Sequence, residues 1–356
     1  MKKMMHTAIM YSPVYLEHDT GPDHPETPTR LKAIMEELNK SGLLKTKKCA
    51  IVTPKPATKK DLELVHDSDY IELVNKTCKS GGGLLDLGDT VVSTKSCKAA
   101  VLAAGAAIDA VNIVATDKAQ NAFALVRPPG HHAGSYYALG FCLFNNVAVA
   151  AAHILCRLDY KRVLILDIDA HHGNGTQEIF YDTDKVLYIS LHQDPRGFPG
   201  TGFADEIGEE QGLGYNVNVP FPFRVDDKLY QEAFNQIAVP IIQQYKPQFM
   251  LVSAGFDGHY TDPVAQLALS MQSYVKVFSK ILNLALQLCE GKVVVTLEGG
   301  YSLSFLGKMV TSTIANMAGV AYPTRDKGPV ADLKTRKKTE QVINNVKRIQ
   351  APFWRL

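Results

Sequence analysis

Eight short apolar runs recur along the chain, and they constrain its fold more than any other feature of the sequence. Most are continuous rather than alternating, which is typical of strands buried on both faces of a parallel sheet. The pattern predicts an α/β sandwich around a central, mainly parallel sheet of about eight strands. The predicted strands are Thr7–Tyr11, Cys49–Val52, Phe123–Val126, Val163–Leu166, Val186–Ser190, Tyr215–Val219, Phe249–Ser253 and Val293–Leu297.

Stretches with the apolar spacing of helices lie between many of these runs. In the first, Thr29 is the expected cap and Gly42 the expected stop. Pro240 is expected to break the stretch in which it lies. The other predicted helices span Ser96–Val114, Asn145–Leu158, Asp226–Gln244, Ser270–Glu290 and Ser302–Ala318.

The 356 residues contain no internal repeat or low-complexity linker. Length alone would suggest about two domains, but the unbroken alternation favours a single domain over residues 1–356. From about Thr324 the chain is polar and basic, and we expect it to wrap the surface before an apolar anchor at Pro352-Phe353-Trp354. Gly81-Gly82-Gly83 is expected to form a flexible loop.

Composition excludes several classes of protein. The net charge is +2, so no direct binding to nucleic acid or to an anionic membrane is expected. The run Ala99–Ala115 is the nearest approach to a membrane segment, but Asp109 and Asn112 favour a buried helix. The N-terminal residues lack the apolar core of a secretory signal. The six cysteines are scattered without a C-x-x-C pair, which favours a reducing, cytoplasmic location.

Polar clusters follow four of the predicted strands directly. The carboxyl ends of parallel strands lie at one edge of a sheet, where ligands bind, so the four clusters are predicted to converge. They are RPPGHHAG, with His131 and His132; DIDAHHGNG, with Asp167, Asp169, His171 and Asn174; AGFDGHYTDP, with Asp257; and EGGYS, with Tyr301.

The second of these clusters has the composition of a metal site. Asp169 and His171 are two residues apart, so in extended chain their side chains share one side. With Asp257 as a third ligand they form a set that suits a catalytic divalent ion such as zinc, with a position left for water. A lone Asp or His at a strand end is more often a cap or a satisfied polar group, but this density of such residues argues against that reading.

The remaining polar residues fit roles around a metal. His131 and His132 suggest a general base and an electrostatic partner, and Asp167 could orient one imidazole. Asn174 could orient the other, although with Gln177 three residues on it also fits a helix N-cap. Tyr301 could donate to a developing oxyanion. No G-x-S-x-G motif offers a nucleophilic serine.

The ordered motifs from about Met10 to Ala318 resemble those of zinc-dependent histone deacetylases and their bacterial relatives, acetylpolyamine amidohydrolases and acetoin-utilisation proteins. They are RPPGHHA, GFCLFNN, LDIDAHHGNGTQEIF, ISLHQ, GFPGTG, SAGFDGHYTDP and EGGYS. The resemblance implies an arginase-like three-layer α/β/α sandwich and metal-dependent removal of an acetyl group from an amine.

The resemblance also implies particular roles. Asp169, His171 and Asp257 match the zinc ligands, His131 and His132 the tandem catalytic histidines, and Tyr301 the tyrosine that polarises the substrate carbonyl. Asp167 matches the residue that orients His131 and helps to bind a structural potassium ion. That site also uses backbone oxygens of Asp169, His171 and Leu191 and the Ser190 hydroxyl; a second monovalent site would involve Phe180, Thr183 and Val186. Phe141 and Phe198 match the walls of a narrow substrate tunnel with Gly140 at its floor, and Arg30 matches an acetate-channel arginine.

Three positions refine the match. Asn174 stands where one branch of the family has aspartate, and asparagine at this position resembles the class II branch. Tyr301 stands where some weakly active members have histidine, so the chain resembles the active ones. Val264 falls at a gate that is acidic in some polyamine deacetylases, which favours acetyl-lysine over an acetylated polyamine or other small acylamine.

Several alternatives stay open at this stage. The ligand set accepts Fe²⁺ as well as Zn²⁺, and the oligomeric state is undetermined. A binuclear manganese ureohydrolase would need further carboxylates, whereas Gly173 and Asn174 follow His172. A non-enzymatic module that binds an acetylated ligand would not need every catalytic position to be filled.

Overall fold

The computed structural model describes residues 5–356 and has one eight-stranded sheet, in which every neighbouring pair of strands is parallel. The spatial order is β2-β1-β5-β10-β9-β6-β7-β8. The predicted α/β sandwich is therefore confirmed. The strands are β1 (Met5–Met10), β2 (Cys49–Val52), β3 (Gly82–Leu84), β4 (Val91–Ser93), β5 (Ala119–Ala124), β6 (Val163–Asp167), β7 (Val186–Gln193), β8 (Asn216–Phe221), β9 (Phe249–Ala254) and β10 (Val293–Leu297).

Continuous apolar sequence explains the middle of the sheet. Every residue of β6, β7, β9 and β10 is buried, as expected where helices cover both faces. Strand β5 starts earlier than predicted because a polar residue, Asn121, lies within it. The Thr7 hydroxyl donates to Asn121 Oδ1 over 2.8 Å, so this buried amide is satisfied and does not end the strand.

Helices occupy the connections between the strands. They are α1 (Pro28–Lys40), α2 (Lys59–Leu62), α3 (Ser68–Lys79), α4 (Ser96–Ala115), α5 (Asn146–Arg157), α6 (Asn174–Ile179), α7 (Asp227–Ala233), α8 (Val239–Tyr245), α9 (Met271–Leu288), α10 (Leu303–Met317) and α11 (Leu333–Gln350). Short 3₁₀ turns cover Pro13–Glu17, Leu43–Thr46 and Glu210–Gly212.

Two expectations about helix boundaries were wrong. Thr27 and not Thr29 takes the N-cap position of helix α1, although its side chain makes no capping hydrogen bond. Pro28 occupies the first helical position, where its fixed φ and missing N–H are tolerated. Pro240 does not break its stretch. A π-helical turn, Phe234–Ala238, joins α7 to α8 and leaves Pro240 in the first turn of α8, where a proline needs no N–H partner.

Helix α4 is long and apolar enough to cross a membrane, but 67% of its most apolar window is buried within the protein. It packs against β5 and α5, as expected for a core helix. A Cβ at Gly105 would lie 2.0 Å from the carbonyl oxygen of Lys55, so only glycine allows this close approach.

The triple glycine does not form a flexible loop. Gly82 and Gly83 belong to β3, which pairs with β4 in a two-stranded antiparallel sheet. Gly82 has φ +100°, and a Cβ there would lie 2.3 Å from the Val92 carbonyl oxygen. The expectation of a flexible loop was wrong, because glycine is needed here to let β3 lie close to β4 and not to make the chain mobile.

The C-terminal stretch is more regular than predicted, since it contains the 18-residue helix α11. The apolar face of helix α11 is narrow, with Ile343 and Val346 buried. Because basic residues surround this face, the helical spacing of its apolar residues is hard to recognise in the sequence. Helix α11 packs on β8. The predicted anchor is provided by Trp354, which is 9% exposed and whose indole N–H donates to the Gly214 carbonyl oxygen over 2.8 Å.

We expect Trp354→Ala to lower the free energy of unfolding by about 3–5 kcal/mol, the usual cost of truncating a buried aromatic side chain. Leu333→Ala is the matched control on the same segment, because Leu333 is 77% exposed and its truncation should change stability by no more than about 0.5 kcal/mol. Urea titration followed by circular dichroism measures both. Equal effects would show that the C-terminal segment is not anchored through its tryptophan.

Candidate active site

The four polar clusters meet at one edge of the sheet. The strands that precede them, β5, β10, β9 and β6, are consecutive neighbours. Parallel pairing brings their carboxyl ends together, as predicted. Residues far apart in the sequence are thereby brought into contact.

The predicted metal ligands form a compact buried group. Ligand atoms of Asp169, His171 and Asp257 lie within 4.8 Å of one another. His171 Nδ1 is 2.8 Å from Asp257 Oδ2 and 3.4 Å from Asp169 Oδ1. Asp169 and His171 also line a cavity, so the group is accessible from one side.

The donors of this group fit a divalent cation. One imidazole nitrogen and two carboxylates are a ligand set that zinc accepts, with further positions left open. Burial and the neighbouring Asp169 carboxylate raise the pKa of Asp257, so the two acids repel each other when both are ionised. A divalent ion between them would offset that repulsion.

The backbone around the ligands allows their close approach. The Gly299 N–H donates to Asp169 Oδ2 over 2.9 Å, and the Ala170 N–H donates to Asp257 Oδ1 over 2.9 Å. A Cβ at Gly255 would lie 1.9 Å from Asp169 Oδ2. Position 255 therefore has no room for any residue larger than glycine.

The tandem histidines have different partners. His131 Nδ1 is 3.0 Å from Asp167 Oδ2, whereas His132 Nδ1 is 2.8 Å from Asn174 Oδ1. Burial opposes protonation of His131, but the carboxylates of Asp167 and Asp169 raise its pKa to about 10. Burial and the neighbouring His131 hold the pKa of His132 well below its usual range. The pair thus combines one imidazole that favours the charged form with one that favours the neutral form.

Asn174 is not the N-cap of helix α6. Gly173 takes that position, and the Asn174 side chain turns back to His132. Of the two readings that the sequence allowed, the geometry supports the one in which Asn174 orients a histidine.

Tyr301 lines the cavity next to Phe141, whose ring it meets edge-on at 5.9 Å. Its N–H donates to Asp262 Oδ2 over 2.7 Å, which fixes the backbone after the two glycines. Gly300 has φ +118°, so a side chain there would be strained. Burial raises the pKa of the Tyr301 phenol well above its usual value, and the phenol therefore keeps its proton as a hydrogen-bond donor.

The cavity above these groups has a volume of about 370 Å³. All four predicted tunnel residues line it, namely Gly140, Phe141, Phe198 and Val264. Gly140 has φ +53°, and a Cβ there would lie 2.5 Å from His132 Cδ2. Sequence reasoning missed further lining residues. Gln193 ends strand β7 and the motif ISLHQ, and the others come from loops without a motif: Asp89, Asp194, Phe223 and Gln266.

Arg30 lies behind Tyr301 and is not among the residues that line the cavity. Its guanidinium carbon is 4.8 Å from the Tyr301 ring centroid. The guanidinium donates to the carbonyl oxygens of Gly300 and Glu298 over 2.7 and 2.6 Å. The acetate-channel role of Arg30 stays a prediction.

A buried ion cluster behind the site was also missed. Glu26 pairs with Arg30 over 2.9 Å and with Arg127 over 2.5 Å, and all three side chains are fully buried. Burial alone would raise the pKa of Glu26, but Arg127 and Arg30 hold it well below its usual range. Glu26 and Arg30 are four residues apart, but nothing in the sequence predicts that both lie beside Arg127.

Glu298, the first residue of EGGYS, was another omission. Its Oε2 accepts from the Gly130 and His131 N–H groups over 2.7 and 3.2 Å, and its Oε1 accepts from the Ser253 hydroxyl. Glu298 therefore holds the loop that carries the tandem histidines. A lone glutamate after a strand gives no sequence signal of this role.

The predicted monovalent sites lie beside β6 and β7. Asp167 and Ser190 are opposite each other in the register of these strands. Asp167 Oδ2 also accepts from the Tyr188 hydroxyl over 3.1 Å, and Ser190 Oγ is 2.7 Å from His192 Nδ1. Phe180, Thr183 and Val186 lie where α6 leads into β7, and both cation sites stay predictions.

Comparison with known proteins identifies the class. The family described as Histone deacetylase domain matches residues 24–317. A "Probable deacetylase" of Archaeoglobus fulgidus is 38% identical over 99% of both chains. The human "Polyamine deacetylase HDAC10" is 37% identical over 93% of this chain, which spans 49% of that protein. The "Crystal Structure of HDA15 HD domain" superposes with a TM-score of 0.88 at 38% identity, covering 98% of this chain and 95% of the other.

The chain therefore belongs to the histone deacetylase family, whose members are hydrolases that remove acetyl groups. This confirms the resemblance read from the motifs, and with it the arginase-like three-layer fold.

We expect Glu26→Gln to lower the free energy of unfolding by about 3–5 kcal/mol, because breaking a buried ion pair leaves an uncompensated buried charge. Glu17→Gln is the matched control. Glu17 pairs with Lys98 at the surface over 3.3 Å, and an exposed pair contributes less than about 1 kcal/mol. Denaturant unfolding of both variants tests this expectation. Similar losses in the two would show that the buried cluster is not a stabilising element.

Proposed function

We propose that this protein is a metal-dependent deacetylase that hydrolyses acetyl-lysine to acetate and lysine. One observation carries the proposal: three metal-type donors lie within 4.8 Å of one another, and two of them, Asp169 and His171, line a cavity that His131, His132 and Tyr301 also line. A binding module would need the cavity but not this set of groups, and a binuclear ureohydrolase would need a second set of carboxylates there.

Asp169, His171 and Asp257 would hold the ion, Zn²⁺ or Fe²⁺, which would act as a Lewis acid and lower the pKa of a water molecule. His132 is the group suited to take the proton from the attacking water. Its Nδ1 is engaged with Asn174, so Nε2 is the nitrogen available as a base. The same nitrogen can then return the proton to the departing amine.

Two further residues stabilise charge in this scheme. The Tyr301 hydroxyl donates a hydrogen bond to the carbonyl oxygen as negative charge develops on it. His131, paired with Asp167, contributes positive charge beside the reacting atoms. Water adds to the acetyl carbon and the C–N bond breaks, so that acetate and a free amine leave.

The shape of the cavity supports a linear acylated amine as the substrate. Phe141 and Phe198 provide apolar walls for an alkyl chain, and Val264, 36% exposed, lies at the mouth. An apolar gate favours acetyl-lysine. Asp89 and Asp194 also line the cavity, and their carboxylates would attract a cationic acetylpolyamine, which makes that substrate the second candidate.

We also propose a structural potassium ion bound by Asp167, the Ser190 hydroxyl and the backbone oxygens of Asp169, His171 and Leu191. A second monovalent site would use backbone around Phe180, Thr183 and Val186. The proposal is supported by the adjacency of Asp167 and Ser190 across two paired strands.

Removal of the metal should abolish acetate release, and one equivalent of Zn²⁺ should restore it. The assay uses an acetyl-lysine peptide and an acetylated spermidine in parallel, each with stripped and reloaded protein. Release from the peptide that depends on the metal supports the proposal, and release from the spermidine alone supports the second candidate. If both substrates are untouched by fully loaded protein, the proposed function is wrong.

Tyr301→Phe should lower kcat about a hundredfold or more, because one oxyanion donor is lost, while metal content stays near one ion per chain. Tyr322→Phe is the control: its hydroxyl bonds to Glu37 over 2.6 Å, away from the cavity. Acetate release and metal analysis measure both effects. A Tyr301→Phe enzyme within about tenfold of the wild type would contradict the assigned oxyanion role.

A further inference from the structure

A chain of hydrogen bonds leads from His132 away from the cavity. His132 Nδ1 is 2.8 Å from Asn174 Oδ1, and Asn174 Nδ2 donates to the Tyr137 hydroxyl over 3.1 Å. The Tyr137 hydroxyl then donates to Glu178 Oε2 over 2.7 Å. The proposed catalytic histidine is thus connected through two neutral groups to a carboxylate.

The far end of this chain reaches a surface groove. Asn174, Tyr137 and Glu178 line this groove, whose volume is about 610 Å³. None of the three lines the substrate cavity. A change in Tyr137 or Glu178 therefore leaves the tunnel walls and the metal donors in place.

The carboxylate fixes the direction of every hydrogen bond in the chain. An ionised Glu178 only accepts, so the Tyr137 proton must point to it. The Tyr137 oxygen is then left to accept from the Asn174 amide nitrogen. The amide oxygen consequently faces His132, and the proton of that imidazole must lie on Nδ1.

Neighbouring groups hold the two outer residues in position. The Ser135 N–H donates to Glu178 Oε1 over 3.2 Å. A Cβ at Gly134 would lie 2.4 Å from the Tyr137 ring, so the loop packs closely on that ring. Burial and the hydrogen bond to Glu178 raise the pKa of Tyr137 well above its usual value, and the phenol keeps the proton that the chain requires.

We propose that Tyr137 and Glu178 are positioning residues that set the amide orientation of Asn174 and thereby keep His132 in the tautomer whose Nε2 is free to act as a base. This inference rests on the proposed function, in which His132 takes the proton from water. The choice of tautomer is thus assigned to the Glu178 carboxylate, which is two hydrogen bonds away from Asn174, the direct partner of His132.

Two substitutions test the direction of the chain. Tyr137→Phe removes the acceptor for the amide nitrogen and leaves only the 3.4 Å contact to the His132 carbonyl oxygen. Glu178→Gln is the sharper change. If the oxygen of the new glutamine amide still accepts from the Ser135 N–H, the NH₂ group of that amide faces Tyr137. The Tyr137 hydroxyl then donates to the Asn174 amide oxygen, and Asn174 turns its nitrogen towards His132.

We expect kcat to fall about tenfold or more in both variants, as is usual when a group that orients a catalytic imidazole is lost. KM should stay within about twofold, because neither residue contacts the cavity. Tyr136→Phe is the matched control, since Tyr136 is the adjacent tyrosine and is 71% exposed. Its kcat and thermal midpoint should equal those of the wild type.

Rescue separates orientation from general damage. In the double variant Tyr137→Phe, Asn174→Asp, either carboxylate oxygen can accept from His132, so no orientation needs to be chosen. We expect this double variant to recover most of the kcat lost in Tyr137→Phe. A merely structural loss of the Tyr137 contact would not be repaired by a further change at Asn174.

The tautomer itself can be read without substrate. Selective ¹⁵N-histidine labelling distinguishes protonated from unprotonated ring nitrogens, and the His132 signals are those that disappear in His132→Ala. We expect a protonated Nδ1 in the wild type and a shift towards a protonated Nε2 in Glu178→Gln. An unchanged tautomer together with a kcat within about twofold of the wild type in both single variants would overturn the inference. An inactive wild type would instead refute the proposed function, whatever the tautomer.

Discussion

Two buried carboxylates, Asp169 and Asp257, impose the tightest constraint on this structure. Acids removed from water must be paired, hydrogen-bonded or coordinated to a metal. The protein meets the demand with His171, with the N–H groups of Gly299 and Ala170, and with a geometry that suits a cation. Glycine at positions 255 and 299 follows directly, because a Cβ at either would collide with these carboxylates or crowd them.

A second set of buried charges stabilises the loops that carry the tandem histidines and Tyr301. Glu26 joins Arg30 and Arg127, and Arg30 holds the carbonyl groups of Glu298 and Gly300. Glu298 in turn accepts from the backbone of the histidine loop. The loops after β5 and β10 are thus fixed to each other through buried polar contacts. Such preorganisation is what the proposed reaction requires of the histidines and Tyr301.

Much of the site could be predicted from the sequence, because its residues follow apolar runs that are unmistakable as buried strands. The dense acids and histidines after them indicated a metal, and the ordered motifs indicated the family. Glu26, Arg127 and Glu298 could not be assigned, since a single charged residue gives no periodic signal. The contacts between Glu26 and Arg127 and between Glu298 and Gly130 join residues more than a hundred positions apart. Helix α11 was missed for a related reason: its stability comes from packing on β8, and its own sequence is largely polar.

The sequence by itself determined the type of fold and the donors available to a metal, because strand burial and side-chain chemistry are local properties of the chain. Only the tertiary structure decided how those donors are oriented. Asn174 orients His132 instead of capping a helix because Gly173 takes the N-cap position, and its amide direction is set by contacts with Tyr137 and Glu178. These hydrogen bonds exist only once the loops after β5 and β6 have packed together, and no spacing within either loop encodes them.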